Sequence, residues 1–320
     1  MKQEIYSTIK SAVFGHAVGD ALGVPVEFAT RERLQCTPVQ TLQGFQTHNV
    51  PPGTWSDDTS MTLCTLESLT KTGNVDLNDM MDRFIQWGYA GYMTPYGRMF
   101  GIGRTTRLAL TGYRRGKPVD ACGGTQERDN GNGSLMRIMP VILYQHMTGT
   151  YGSEREKMEE LNRVSALTHG HLRAMMACGI YGFVLDELLA RREPSSLVAG
   201  LKQAALFYAG SPEYSAYTEL FQPDFFGLDS GQIQSSGYVV DTLKAALWCV
   251  GTTTSYPECV LKAVNLGGDT DTTAAVAGGL AGVLYGFDSI PKEWISSLAL
   301  HEKLDAMCMD AAERWTEPCC

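Results

Sequence analysis

Apolar residues return along this chain at steps of three and four. Leu172, Met175, Met176, Ile180, Phe183 and Val184 keep that spacing, as do Leu197, Leu201, Ala204, Ala205 and Tyr208, and again Val239, Val240, Leu243, Ala246, Leu247 and Val250. Leu63, Leu66 and Leu69 continue the pattern, and two further helices are predicted over 79–87 and 292–304. Such periodicity marks amphipathic helices with one face in a core. Alternation of apolar and polar residues, the strand signal, is nearly absent; the run Val141-Ile142-Leu143-Tyr144 is the best strand candidate and fits a helix equally well. The pattern predicts an all-α fold of about a dozen helices, given helices of about 11–12 residues each. Segments 112–134 and 209–237 read as the longest loops, and long loops in compact domains tend to carry function. No stretch has linker composition, so residues 1–320 are expected to form one compact multi-helix domain.

Two small-residue patterns refine that picture. Gly15, Gly19 and Gly23 fall four apart, which strips one helix face of side chains. Ala274, Ala275, Ala277, Gly278, Gly279, Ala281 and Gly282 give a second helix almost no bulk. Both are suited to close packing in the interior. The net charge of −9 disfavours a nucleic-acid partner, since an acidic chain is repelled by phosphate backbones. The longest small apolar run, 272–285, is too short to span a bilayer, so no membrane association is expected. Nine cysteines, an odd number without metal-ligand spacing, read as reduced residues, and with no signal-peptide pattern they point to the cytoplasm.

Against this background several polar clusters stand out. In Trp55-Ser56-Asp57-Asp58-Thr59-Ser60 two adjacent carboxylates precede a helix, where the macrodipole tolerates negative charge and a hydroxyl can cap. In Gly267-Gly268-Asp269-Thr270-Asp271-Thr272 two more acids follow a glycine pair and open the small-residue helix. Taken singly, each is a plausible acidic helix cap. A doubly acidic end on an interior helix, however, requires counter-charge, and no lysine lies nearby in sequence. Oxygen-only donors suit a hard divalent cation such as Mg²⁺ or Mn²⁺. Glu27, between Val26 and Phe28, is either ion-paired or functional; Asp20 reads as structural, capping a turn. Asp129-Asn130-Gly131-Asn132-Gly133-Ser134 is a turn whose N–H groups can cradle phosphate, although it matches neither a P-loop nor a Rossmann fingerprint. His169 and His171 fall at a helix junction, where a histidine is more often a C-terminal cap than a catalyst. Tyr238 opens a helix, placed either to pack in the core or to stack on a base.

Together and in order, G-D-A-L-G-V-P-V-E, W-S-D-D-T, N-G-S-L-M-R, L-T-H, S-G-Y-V-V-D-T-L and G-G-D-T-D-T resemble the ADP-ribosylglycohydrolase family across about residues 15–286. The resemblance implies an all-α fold with a central cleft holding two divalent cations. It implies Ser56, Asp57, Asp58, Asp269, Asp271 and Thr272 as metal ligands, Ser56 standing where threonine is more usual. Glu27 matches the family's mobile acidic residue, and Asp269 is taken as catalytic as well as ligating. Gly131, Asn132, Gly133 and Ser134 match the loop that holds diphosphate and ribose. His169, Tyr238, Gly267 and Gly268 are placed along the ADP-ribose cleft. Asp129, three residues before the loop asparagine, matches the acidic position of arginine-directed members, where a carboxylate can pair with a guanidinium.

The expected activity is therefore hydrolysis of the bond between ADP-ribose and a protein side chain, with arginine the favoured linkage and an ADP-ribosylated protein the partner. Two alternatives remain open on sequence: a catalytically silent family member that binds ADP-ribose or serves a structural role, and a dimetal hydrolase of another substrate, either a phosphate ester or another ADP-ribose derivative.

Overall fold

The computed structural model describes residues 2–316, and the fold among them is helical throughout, without a sheet. Fourteen α-helices follow in order: α1 Lys2–Gly23, α2 Arg31–Cys36, α3 Asp57–Thr72, α4 Leu77–Ala90, α5 Arg104–Arg114, α6 Met139–Thr148, α7 Glu154–Ser165, α8 Leu172–Arg191, α9 Ser195–Tyr208, α10 Val239–Gly251, α11 Tyr256–Asn265, α12 Thr270–Tyr285, α13 Lys292–Ser297 and α14 His301–Arg314. Local chemistry sets many of these boundaries. Asp76 caps α4 by accepting from the N–H groups of Asn78 and Asp79 at 2.9 and 3.0 Å. Gly73, Gly91 and Gly149 close α3, α4 and α6 in the left-handed conformation that glycine adopts without a steric penalty.

At the centre α1 and α12 run antiparallel and touch backbone to backbone. A Cβ built on Gly15 would lie 2.3 Å from the Gly278 carbonyl oxygen, one on Gly19 2.1 Å from that of Ala274, and one on Gly23 2.3 Å from the Asp271 Cα. From the other side, a Cβ on Gly282 would meet the Ser11 carbonyl at 2.1 Å. The four-residue glycine step thus lets the two helices approach more closely than side chains permit. It also brings the C-terminal end of α1 against the first turn of α12. Beyond α1 a short 3-10 turn, Val24–Val26, carries Pro25 and delivers Glu27. Phe28 then donates its N–H to the Gly268 carbonyl at 2.7 Å, and Gly268 donates to Ala29 at 2.9 Å, so the turn after α1 is tied to the turn before α12.

Three expectations change in detail. The apolar run at 141–144 lies inside α6, and the helix predicted over 292–304 is two helices, α13 and α14. The interruption is tertiary: Ala299 donates to the Gly53 carbonyl and its own carbonyl accepts from Trp55 Nε1 at 2.8 Å, with Leu300 in the left-handed conformation. Third, segment 112–134 begins in the last turn of α5, and 209–237 contains three 3-10 turns, Tyr214–Phe221 being the longest. Of the cysteines, seven fall in the described residues, all free and all buried except Cys36; Cys319 and Cys320 lie outside the described residues. No helix among the described residues is long and apolar enough to cross a membrane.

Because the Gly19 contact is with backbone, the neighbour cannot move aside. Gly19→Ala is expected to lower unfolding free energy in urea by about 1–3 kcal/mol or more, as overpacked cores do. Gly231→Ala, where the added methyl meets open space, should change it by less than about 0.5 kcal/mol.

Candidate active site

The two acidic clusters predicted from sequence converge. Ser56 is the N-cap of α3, its Oγ accepting from the Asp58 N–H at 3.3 Å and donating to Asp58 Oδ2 at 2.9 Å. Thr272, in the first turn of α12, donates its hydroxyl to the same Asp58 oxygen at 3.3 Å. Asp20, reaching from α1, accepts from the N–H groups of Ser56 and Thr59 and from the Thr59 hydroxyl at 2.6 Å. That matches its expected structural role, although the end it caps belongs to a helix 36 residues away. Oxygens of Asp20, Asp58 and Asp271 lie within 4.8 Å of one another, and so do oxygens of Glu27, Asp269 and Asp271. Asp271 belongs to both groups.

The electrostatics of this assembly are unfavourable without a counter-charge. Asp20, Asp57, Asp58 and Asp271 are all buried. Burial raises the Asp57 carboxyl well above the ordinary carboxylate range, and the neighbouring Asp20 and Glu27 push it further. Asp58 is raised by burial and then by Asp20 and Asp57, and Asp271 by burial and then by Glu27 and Asp269. Asp20 is held at about 6, burial outweighing its hydrogen bonds from Thr59 and Ser56. Among the described residues no lysine or arginine forms an ion pair with any of these six carboxylates; the one basic contact is His48 Nε2 on Glu27 Oε2. The buried imidazoles give no help, because burial lowers His16 to about 4 and His169 to about 3. Asp58 Oδ1 and Asp269 Oδ1 are buried with no hydrogen-bond partner. An all-oxygen set with orphaned acceptors and excess negative charge fits hard divalent cations.

A cleft of about 310 Å³ opens from the acidic floor. One wall carries Glu27, Asp57, Asp269, Asp271 and Thr272; the other carries Gly131, Asn132, Gly133 and His169. The loop is fastened by an antiparallel bridge in which Asn132 donates its N–H to the Gly237 carbonyl and Val239 donates to that of Asn130. Asn132 Nδ2 also donates to Asp269 Oδ2 at 2.9 Å, which joins the loop directly to the acidic centre. Gly133 and Ser134 N–H groups have no acceptor among the described residues.

Several sequence-predicted residues sit differently from expectation. Gly267 and Gly268 have φ of +77° and +73°, and the space of their missing side chains is filled by Ala29–Arg31 and by Ser235, so they steer Asp269 without lining the cleft. The Ser134 hydroxyl is fully buried and pairs with Ser165 Oγ at 2.9 Å, away from the cleft. Ser56 and Asp58 lie beneath the floor, and Tyr238 stands aside with its hydroxyl accepting from Arg173 Nη1. His171 caps the N-terminus of α8 through the Arg173 N–H, not a C-terminus. Asp129 lines an adjoining recess, ion-paired with Arg104 Nη1 at 2.9 Å. Burial opposes its ionised form, but Arg104 and the Gln126 N–H hold it below the usual value.

Sequence reasoning missed His48, which also packs on Phe100 at 5.0 Å, and Arg104 and Arg128 at the cleft mouth. It also missed Gly101, where a Cβ would lie 2.2 Å from Asp57 Oδ1. Its positive φ of 87° matches a position where only glycine allows the backbone to press on that carboxylate.

A prediction follows from the raised carboxyls. A carboxyl with a folded value above its unfolded one stabilises the fold fully at low pH and loses that contribution as pH rises through the folded value. Metal-free protein should therefore melt at a lower temperature at about pH 8 than at about pH 5. Mg²⁺ or Mn²⁺ should reverse the loss at about pH 8, contributing about 2.7 kcal/mol at a hundredfold excess over Kd. Calorimetry with and without chelator checks both; a metal-independent profile would contradict the assignment.

Comparison with known proteins fits this geometry. The family model described as ADP-ribosylglycohydrolase matches residues 1–319. The chain is 32% identical over 306 residues to the ADP-ribosylarginine hydrolase Tri1 of Serratia proteamaculans (strain 568), covering 95% of this chain and 78% of that one. It is 31% identical to the ADP-ribosyl-[dinitrogen reductase] glycohydrolase of Rhodospirillum rubrum, covering 92% and 91%. A solved structure described as an ADP-ribosylglycohydrolase-related protein complex superimposes with a TM-score of 0.81 at 31% identity, over 98% of this chain and all of that one.

Proposed function

Since the chain belongs to the ADP-ribosylglycohydrolase family, we propose that it is a divalent-cation-dependent hydrolase releasing ADP-ribose from arginine side chains of a modified protein. The observation that carries this reading is the buried acidic centre, without an ion-paired lysine or arginine among the described residues, at the floor of a cleft whose facing wall is the Gly131–Gly133 loop. Asp57, Asp58, Asp269 and Asp271, with Glu27 and the hydroxyls of Ser56 and Thr272, are the groups to hold two Mg²⁺ or Mn²⁺ ions. Bound there, such ions would supply Lewis acidity, lowering the pKa of a water and orienting sugar hydroxyls.

The remaining chemistry belongs to the chain. The free N–H group of Gly133, which lines the cleft, is a donor for the diphosphate. Asn132, fixed by Thr242 and Asp269, holds the loop in register with the acidic centre. Glu27 lines the cleft and is tethered by His48, which leaves its carboxylate placed to take a proton from the attacking water. The bond from the anomeric carbon to the guanidine nitrogen breaks, a new bond to the water oxygen forms, and the proton passes on to the departing guanidine. Positive charge that develops on the ribose ring faces Asp57 and Asp269 across the cleft and is stabilised by them.

The arginine linkage rests on Asp129. Its carboxylate already accepts one guanidinium, that of Arg104, whose side chain is half exposed and free to yield to a substrate guanidinium. Such a charge-assisted pair contributes about 1.5–3 kcal/mol, or one to two decades. With Mn²⁺ present, wild-type enzyme is expected to release ADP-ribose from ADP-ribosyl-arginine protein. Asp129→Asn should lower kcat/KM by about that factor while leaving the affinity for free ADP-ribose unchanged. Equal release from serine-linked and arginine-linked substrates would overturn the linkage assignment, and no release from either would overturn the function.

A further inference from the structure

Arg137 is fully buried, and among the described residues its guanidinium makes hydrogen bonds only from Nη2, to the Val164 carbonyl at 3.2 Å and to Thr168 Oγ1 at 2.9 Å. A guanidinium donates and never accepts, so Thr168 Oγ1 is the acceptor in that second bond. The same hydroxyl oxygen lies 2.8 Å from His169 Nδ1, and Thr168 is itself fully buried. Its own hydrogen has one acceptor within reach, the His169 ring nitrogen. If Nδ1 carried a hydrogen instead, the threonine hydrogen would be left buried and unbonded, which a protein interior strongly disfavours. Only one arrangement gives a partner to both the Thr168 hydrogen and Nδ1: Arg137 donates to Thr168, Thr168 donates to Nδ1, and the ring hydrogen resides on Nε2.

We propose that Arg137 and Thr168 are positioning residues that lock His169 as a neutral Nε2–H donor aimed into the cleft, where it recognises an acceptor oxygen of the ligand. The identity of that ligand as ADP-ribose rests on the function proposed above; the protonation pattern does not. The main chain that carries the ring is fixed on both sides: the backbone N–H of His169 donates to the Ser165 carbonyl at 2.8 Å, its backbone carbonyl accepts from Ser165 Oγ, and Gly124 bridges the residues on either side of it. Among the described residues Nε2 has no hydrogen-bond partner, and it faces the glycines of the loop, since a Cβ on Gly131 would stand 3.5 Å from it and one on Gly133 2.8 Å from Cε1. Burial, reinforced by the Arg137 charge, lowers the imidazole to about 3 and keeps it uncharged at neutral pH. A histidine so held does not carry protons in the reaction. It favours ligands with an oxygen acceptor at that point and disfavours those that present a donor.

The proton position is read directly from long-range ¹H–¹⁵N spectra of the wild-type imidazoles, with His169→Gln identifying the resonance. Nε2 should show the protonated shift and Nδ1 the unprotonated one; the reverse pattern overturns the proposal. Thr168→Val removes the hydroxyl and should mix the tautomers and weaken binding of free ADP-ribose about tenfold, the size of one hydrogen bond. Thr168→Ser should restore both. In His169→Gln the side-chain amide supplies its own N–H, so adding Thr168→Val should cost little further; full additivity would mean that Thr168 acts on packing alone and would refute the relay. If ADP-ribose fails to bind the wild type, the functional reading falls and the spectrum by itself decides the relay.

Discussion

Asp20, Asp57, Asp58 and Asp271 are buried in one space with Glu27 and Asp269 at its edge, and the mutual repulsion of these carboxylates is the constraint that the surrounding structure has to withstand. Three helix ends impose it. The N-terminal turns of α3 and α12 bring their acids inward, where helix dipoles offset part of the negative charge. The C-terminal end of α1 meets the start of α12 because their glycines allow backbone contact, and Gly23 lies against Asp271 itself. Loosening that helix pair would relieve the repulsion and dissolve the centre at the same time. The same packing that stabilises the core therefore sets the spacing of the acids.

The cleft depends on this centre through few connections, each specific. Asn132 reaches from the glycine loop to Asp269, and the bridge between Gly131 and Tyr238 ties that loop to the start of α10. His48 fixes Glu27 from a segment that carries no regular structure of its own. His169 is part of the opposite wall, with Thr168 and Arg137 behind it. Negative charge thus lies on one wall and hydrogen-bond donors on the other, a division suited to a ligand with a cation-liking sugar at one end and an anionic diphosphate at the other.

Much of this was legible in the sequence because it is written in local spacing. The four-residue glycine step in α1 and the small residues of α12 foretold close packing, and the paired acids after Trp55 and after Gly268 foretold two acidic helix starts. What escaped depends on distant partners. His48, Gly101 and Arg104 meet Glu27, Asp57 and Asp129 across loops whose path no periodicity announces. The break before α14 comes from bonds to Gly53 and Trp55, some 245 residues away in sequence, and overrides a continuous helical pattern. Gly267 and Gly268 were readable as glycines that permit close approach; that the approaching group is the chain's own backbone was not.

On the function proposed above, these carboxylates hold two divalent cations, with Asp271 shared between them. Equilibrium dialysis against Mn²⁺, with bound metal counted per chain, tests it most directly. Two ions are expected on the wild-type protein and, because Asp271 belongs to both acidic groups, a joint weakening of both in Asp271→Asn. A wild-type protein that takes up no Mn²⁺, or an Asp271→Asn variant that keeps both ions at unchanged affinity, would contradict it.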